Sequence, residues 1–138
     1  MKKYDVIIIG AGPAGIFAAL ELSKTDGFKV AIIDKGSDIE DRVKAPRRSL
    51  LSGWGGAGAF SDGKLTLSTE VGGQLSSYIS DEELMRLIKY VDRIYIEFGA
   101  PDKVYGTNDE EVEQLARRAI LADLKLIPSA IRHVGTDQ

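Results

Sequence analysis

Two short apolar runs, joined by a glycine-rich turn and a helix-like segment, dominate the start of the sequence. The first run, Val6 to Ile9, has no polar alternation, which is typical of a parallel strand covered on both faces. Apolar residues then recur at helical spacing from Ile16 to Leu22, and the segment ends between Lys24 and Gly27. Val30 to Ile33 supplies a second strand. The pattern therefore predicts a β–α–β unit with parallel strands.

The turn after the first strand reads Gly10-Ala11-Gly12-Pro13-Ala14-Gly15, which has the spacing G-x-G-x-x-G. We expect Gly10 to permit a tight turn, Gly12 to let the backbone approach a pyrophosphate, and Gly15 to let the helix pack closely on the strand. Pro13 suits the first helical position, because its missing N–H is no loss there. The free amides of this turn, Ala14 included, then face the phosphates.

An acidic residue follows the second strand. Asp34 stands at the carboxyl end of that strand, and Lys35 comes next as a further cofactor-binding candidate. A carboxylate there accepts hydrogen bonds from ribose hydroxyls and repels a 2′-phosphate, which disfavours NADP. The strand, turn, helix, strand and acid together predict binding of the ADP half of a dinucleotide. FAD and NAD share that half, so these residues leave both cofactors open.

A second glycine-rich segment runs from Leu51 to Leu65. It has few bulky side chains, so its backbone can lie against a flat ligand. Its two large aromatic residues, Trp54 and Phe60, indicate packing against other groups. The alternative is a flexible surface loop.

Two features of the sequence resemble known flavoproteins. The Gly-x-Gly-Pro-Ala-Gly turn resembles the glutathione-reductase-like superfamily, and the segment from Ser52 to Leu65 resembles the uncharacterised FAD-dependent dehydrogenases, which are large two-domain flavoproteins. Asp34 departs from the usual pattern, since such flavoproteins more often carry Glu there. The resemblance implies FAD as the cofactor and places four residues near its ribityl chain and ring: Gly55, Gly56, Ala57 and Gly58.

Two residues are weak catalytic candidates on the same resemblance. Lys64 would place a cation near the flavin ring, and its alternative is an exposed lysine in a turn. His133 is the single histidine and belongs to a His-x-Gly-Thr-Asp segment that the resemblance includes. The alternative for His133 is a polar residue near a turn.

The second half of the chain is predicted to be mostly helical. Ser80 with Glu83, and Asn108 with Glu111, are capping patterns that each precede an amphipathic helix. Gly99 and the residues after it end the first of these helices. Between the helices, Val104 and Tyr105 are expected to be extended.

The predicted fold class is α/β: a Rossmann-type βαβ FAD/NAD(P)-binding unit with parallel strands, followed by a mostly helical segment. Residues 1–79 form the N-terminal part of the FAD-binding domain, and residues 80–138 lead into a cap or substrate domain. Only two parallel strands are readable, and a two-stranded sheet is poorly able to stand alone. The chain is therefore expected to be an incomplete fragment of a larger flavoprotein, completed by a missing C-terminal portion or by oligomerisation.

Composition narrows the possible partners. The net charge of −3 argues against nucleic acid or an anionic membrane as the main partner. The sequence has no cysteine, which excludes disulfides and thiolate ligands, and no metal site is expected. No stretch approaches a membrane span, and we expect a cytoplasmic protein. A local basic stretch is either a solvated loop or a contact to cofactor phosphate; it comprises Arg42, Lys44, Arg47 and Arg48.

These observations favour an FAD-dependent oxidoreductase or dehydrogenase, whose flavin exchanges hydride or electrons with an unidentified small molecule. Two alternatives stay open. One is an NAD-binding enzyme or sensor that uses the same βαβ unit. The other is a non-catalytic interaction module formed by a truncated fold.

Overall fold

The structure of the chain, a computed structural model, describes residues 2–44 and 51–134, which fall into two units. The first unit is Met1–Ser61 and the second is Asp62–Gln138. The division after Ser61 comes earlier in the chain than the boundary predicted after residue 79. The reason is that a strand at Lys64–Thr66 pairs with a strand of the second unit. The α/β class predicted from the sequence is confirmed.

The first unit contains the predicted β–α–β arrangement. Strands β1 and β2 pair in parallel, with Val6 opposite Val30 and Ile9 opposite Ile33. Helix α1 begins at Pro13 and ends at Ser23, directly before the segment from Lys24 to Gly27 that was predicted to end it. The elements in chain order are β1 (Val6–Ile9), α1 (Pro13–Ser23), β2 (Val30–Ile33), α2 (Ile39–Lys44) and a short 3₁₀ helix (Ala57–Phe60).

One face of the β1–β2 sheet is left uncovered by the part of the chain that the structure describes. Ile7 is 57% exposed, Ile9 is 79% exposed and Ile33 is 53% exposed. Ile8, in contrast, points toward α1, since a Cβ placed on Gly15 of that helix would lie 3.2 Å from its side chain. The prediction that β1 is covered on both faces is therefore wrong for the described part of the chain, because α1 packs on only one face.

The second unit is built on a three-stranded antiparallel sheet in the order β3–β5–β4. From residue 80 onward the chain is mostly helical, as predicted, and it also supplies two of the three strands, of which β5 gave no signal in the sequence. The elements are β3 (Lys64–Thr66), a 3₁₀ helix (Leu75–Ser77), α3 (Asp81–Glu97), β4 (Val104–Tyr105), α4 (Asp109–Leu121) and β5 (Ile131–His133). None of the described helices combines the length and the apolar composition that a membrane-spanning helix needs.

Both predicted helix caps of the second unit are confirmed. The Ser80 hydroxyl accepts a hydrogen bond from the Glu83 amide at 3.2 Å, at the start of α3. The Asn108 side-chain oxygen accepts from the amides of Glu110 and Glu111 at the start of α4. Each cap satisfies backbone donors that have no partner within the helix. The short extended piece predicted at residues 104–105 is also confirmed, as β4.

A buried ion pair joins the sheet of the second unit to α3. Arg132 of β5 is 4% exposed, and its guanidinium donates to both carboxylate oxygens of Asp92, at 2.5 and 2.9 Å. It also donates to the carbonyl of Pro101 at 2.6 Å. The hydrogen bonds to the Asp92 carboxylate raise the pKa of Arg132. Ile94, on the same helix, is 6% exposed and belongs to this core.

Candidate functional site

The three glycines of the first turn are explained by three different observations. Gly10 has φ +103°, a conformation that favours glycine. A Cβ on Gly15 would lie 2.0 Å from the Gly10 carbonyl oxygen, so α1 packs this closely only with glycine there. A Cβ on Gly12 would meet no atom within 4 Å. The predictions for the turn and the close packing are confirmed, whereas the pyrophosphate contact of Gly12 stays a prediction.

The amino end of α1 follows Gly12 directly. Gly12 is the N-cap residue, so no side chain accepts a bond from the first helical turn, and Pro13 is the first helical residue. The first donor within the helix is the amide of Ile16, which bonds to the Gly12 carbonyl at 3.0 Å. The amides of Ala14 and Gly15 precede it and have no acceptor inside the helix. Such amides, at the positive end of the helix dipole, are suited to an anion.

The Asp34 carboxylate is held in place by two backbone amides. Ala11 donates to one oxygen at 2.8 Å and Gly36 donates to the other, also at 2.8 Å. These bonds, first that of Ala11, hold the pKa of Asp34 below its usual range, and the charges of Lys35 and Arg42 act in the same direction. A carboxylate oxygen accepts more than one hydrogen bond. Asp34 is therefore ionised, oriented and still able to accept bonds from hydroxyl groups.

A cavity lies at the carboxyl ends of the two parallel strands. Its volume is about 360 Å³. Ligands of open α/β sheets bind at this end of the strands. Three predicted cofactor-binding residues, Gly10, Asp34 and Lys35, line the cavity together with Ile9 and Ile33.

The second glycine-rich segment packs against the first turn. The amide of Gly55 donates to the Ala11 carbonyl at 2.8 Å. A Cβ on Gly56 would lie 3.3 Å from the Pro13 ring and 3.4 Å from the Cα of Gly12. The structure thus brings the two predicted cofactor-binding segments together inside the first unit. The full predicted set lies in that unit: Gly10, Gly12, Pro13, Ala14, Gly15, Asp34, Lys35, Gly55, Gly56, Ala57 and Gly58.

Arg42 is the site residue that sequence reasoning placed incorrectly. It is 1% exposed, rather than part of a solvated loop. Its guanidinium donates to the carbonyl of Trp54 and lies 4.8 Å from the centre of the Phe60 ring. The sequence did contain a signal for this packing, because the glycine-rich loop carries two aromatic residues. One of them, Phe60, packs against Arg42. Lys44 is exposed, and Arg47 and Arg48 lie outside the described residues.

The two catalytic candidates are neighbours in the second unit. Lys64 of β3 is directly opposite His133 of β5. The adjacent pair is hydrogen-bonded, since the Val134 amide donates to the Gly63 carbonyl at 2.7 Å. Hydrogen-bonded and non-hydrogen-bonded pairs alternate along an antiparallel ladder, so Lys64 and His133 form a non-hydrogen-bonded pair, whose side chains lie close together.

The structure gives the surroundings of this pair in part. His133 is the last residue of strand β5, which pairs with strands on both sides. The Lys64 ammonium is 2.9 Å from the Asp62 carboxylate and lowers the pKa of Asp62. The remainder of the His-x-Gly-Thr-Asp segment, residues 135–137, lies outside the described residues. A catalytic role for Lys64 or His133 stays a prediction.

Comparison with known proteins identifies the family of the chain. Residues 5–119 match the family described as FAD dependent oxidoreductase (DAO). The chain belongs to this family. The cofactor of these oxidoreductases is FAD, which confirms the flavoprotein resemblance and the preference for FAD over NAD.

Individual relatives match the chain over short parts of their own lengths. An uncharacterized protein of Clostridium beijerinckii is 36% identical, over 82% of this chain and 24% of that protein. The digeranylgeranylglycerophospholipid reductase 3 of Methanosphaera stadtmanae is 62% identical over 28% of this chain and 10% of that protein. The succinate dehydrogenase flavoprotein subunit of Coxiella burnetii is 49% identical over 25% of this chain and 6% of that protein. No solved structure matches the chain.

The residues of the site fit the cofactor of the family. None of the described residues fills the space beside Gly12, which adjoins the amides at the start of α1 that have no acceptor inside the helix. The oriented Asp34 carboxylate lines the neighbouring cavity. These are the groups that a pyrophosphate and an adenosine ribose require.

Proposed function

We propose that the first unit is the ADP-binding part of an FAD-dependent oxidoreductase that acts on a small molecule. The observation that carries the proposal is the placement of Asp34: two backbone amides fix its carboxylate at the edge of a 360 Å³ cavity. FAD, when bound, supplies the exchange of hydride or electrons with the substrate. The chain supplies the binding and orientation of the cofactor.

Each segment of the site has a separate role in this proposal. Asp34 accepts hydrogen bonds from the hydroxyl groups of the adenosine ribose. The backbone of Gly12 and the amides of Ala14 and Gly15 bind the pyrophosphate. The residues 55–58 lie along the ribityl chain and the flavin ring.

A calorimetric titration with FAD tests the pyrophosphate contact. In Gly12→Val the new side chain projects into the space proposed for the pyrophosphate, and we expect FAD binding to become undetectable. Gly73→Val is the matched control, because a Cβ on either glycine meets no atom within 4 Å and neither has a left-handed φ. Thermal melting of both variants shows that each is folded. Equal FAD affinities for the two variants would contradict the proposal, and tighter binding of NAD than of FAD would favour the NAD alternative.

The uncovered face of the β1–β2 sheet needs a covering element in longer proteins of the family. We propose that further polypeptide covers Ile7, Ile9 and Ile33 in longer members of the family, since the chain spans only 24% of the Clostridium beijerinckii relative. A contiguous apolar face of this kind binds hydrophobic dyes when it is open to solvent. We expect this chain to bind such a dye and the full-length relative not to bind it. Equal dye binding by both proteins would contradict the proposal.

A further inference from the structure

We propose that Arg42 is the positioning residue that holds the glycine-rich loop, residues 53–60, against the dinucleotide-binding turn. By doing so it determines how much more tightly the site binds FAD than the ADP half alone. This inference rests on the proposed function, because it takes FAD as the ligand of the first unit.

The contacts of Arg42 span the loop. The guanidinium donates to the Trp54 carbonyl near one end and packs over the Phe60 ring at the other, with 4.8 Å to the ring centre. A planar guanidinium bonds to a carbonyl and stacks on an aromatic face at the same time, which a lysine ammonium does less well. The side chain is 1% exposed, so water does not compete for these contacts.

The backbone of the loop packs closely against the Arg42 side chain. Gly53 has φ +117°, and a Cβ on it would lie 2.7 Å from the Arg42 Cδ and 2.7 Å from the Ser37 carbonyl oxygen. The next amide, that of Trp54, donates to the same Ser37 carbonyl at 3.1 Å. The loop therefore packs between Arg42 and the segment that follows Asp34.

The same contacts continue to the residues proposed to bind the cofactor. Gly55, next to Trp54, donates to the Ala11 carbonyl at 2.8 Å, and the Ala11 amide donates to Asp34 at 2.8 Å. Ala11 is fully buried. A continuous series of hydrogen bonds and peptide groups thus links the Arg42 guanidinium to the Asp34 carboxylate, which is proposed to bind the ribose. In the proposed function, the ADP half of FAD would be held by the turn and Asp34, and the flavin half by the loop that Arg42 contacts.

Calorimetric titration of the 138-residue chain with FAD and with ADP tests this role. In Arg42→Met we expect FAD affinity to fall by about tenfold or more while ADP affinity changes by less than about threefold. Arg42→Lys is expected to fall between the wild type and Arg42→Met, since it keeps the charge but loses the planar contact. Arg86→Met, which removes an exposed arginine of the second unit, is the control and should leave both affinities unchanged. An equal loss for both ligands in Arg42→Met would show a merely structural role and overturn the inference.

A second measurement needs no ligand. Amide hydrogen exchange by NMR is expected to show loss of protection at Gly55 in both Arg42 variants, with the amides of β1 still protected. Trp54, the single tryptophan, should become more accessible to acrylamide quenching in the same variants. Undiminished protection of Gly55 would overturn the inference. If the wild type binds neither FAD nor ADP, the proposed function fails, and the exchange data still decide whether Arg42 holds the loop.

Discussion

The two units of this chain are stabilised in different ways. In the first, hydrogen bonds and glycine contacts fix a turn, a carboxylate and a loop, while Ile9 of its sheet is 79% exposed. In the second, Arg132 and Ile94 are almost fully buried, and the sheet is bonded to α3 through Asp92. The difference supports the proposal that the first unit is shaped for a ligand, whereas the second unit is stabilised by its own packing.

The largest effect on stability is expected from Arg132→Met. Removing the guanidinium leaves the Asp92 carboxylate without its partner in a poorly solvated position, which is costly. We expect the Tm to fall by more than about 5 °C, measured by circular dichroism. Arg86→Met is the matched control, because its ion pair with Glu83 is exposed, and its Tm should change by no more than about 1 °C. Equal Tm values for the two variants would contradict a stabilising role of the buried ion pair in the second unit.

A smaller effect, on binding, is expected from Asp34→Asn in the first unit. The amide cannot accept hydrogen bonds from both Ala11 and Gly36, so the ribose contact is lost or misplaced. We expect ADP affinity to fall by roughly tenfold or more, by calorimetry. Asp38→Asn is the control, since Asp38 is exposed and its carboxylate accepts a hydrogen bond from the nearby Asp41 amide. Unchanged ADP affinity in Asp34→Asn would place the ribose elsewhere.

The pH dependence of stability gives a second test of Asp34. Because the pKa of Asp34 is lowered in the folded chain, its contribution to stability is fully present above about pH 4 and is lost as the pH falls through the lowered pKa. A Tm profile of the wild type should therefore contain an acid-side loss that is smaller in Asp34→Asn. If the Tm of both proteins falls equally as the pH is lowered, the assignment of a lowered pKa to the Asp34 carboxylate is contradicted.

The smallest effect is expected from Ile7→Thr on the uncovered face of the β1–β2 sheet. Ile7 is 57% exposed, so the substitution removes little buried apolar area, and the Tm should change by no more than about 2 °C. Ile94→Thr is the matched control in the second unit, where the side chain is 6% exposed, and its Tm should fall much further. A comparable fall for Ile7→Thr would mean that this face is covered in the isolated chain.

Sequence reasoning located the features that depend on neighbours along the chain. The turn from Gly10 to Gly15, the acid after β2 and the caps at Ser80 and Asn108 each involve residues within one or two elements, and the structure has them where the patterns predicted. Glycine and capping preferences act over a few residues, so a single sequence records them.

Features that depend on distant contacts were not predicted. Strand β5 is only three residues long, and its identity comes from pairing with β3 and β4, which are far from it in the chain. Arg42 is buried because a loop 12 residues further on offers it a backbone carbonyl, a group that every residue has. Coverage of the β1–β2 sheet was overestimated because an apolar strand indicates that a face needs covering and does not say what covers it.

The measurement that tests the account most directly is an NMR titration of the isotope-labelled chain with ADP. If the first unit is the dinucleotide-binding surface, saturable shifts will be confined to amides of the turn at residues 10–15 and of residues 34–36. Amides of β3, β4 and β5 will stay unchanged. Shifts that are absent, or that centre on the second unit, would contradict the central claim that the first unit is shaped for the ADP half of FAD.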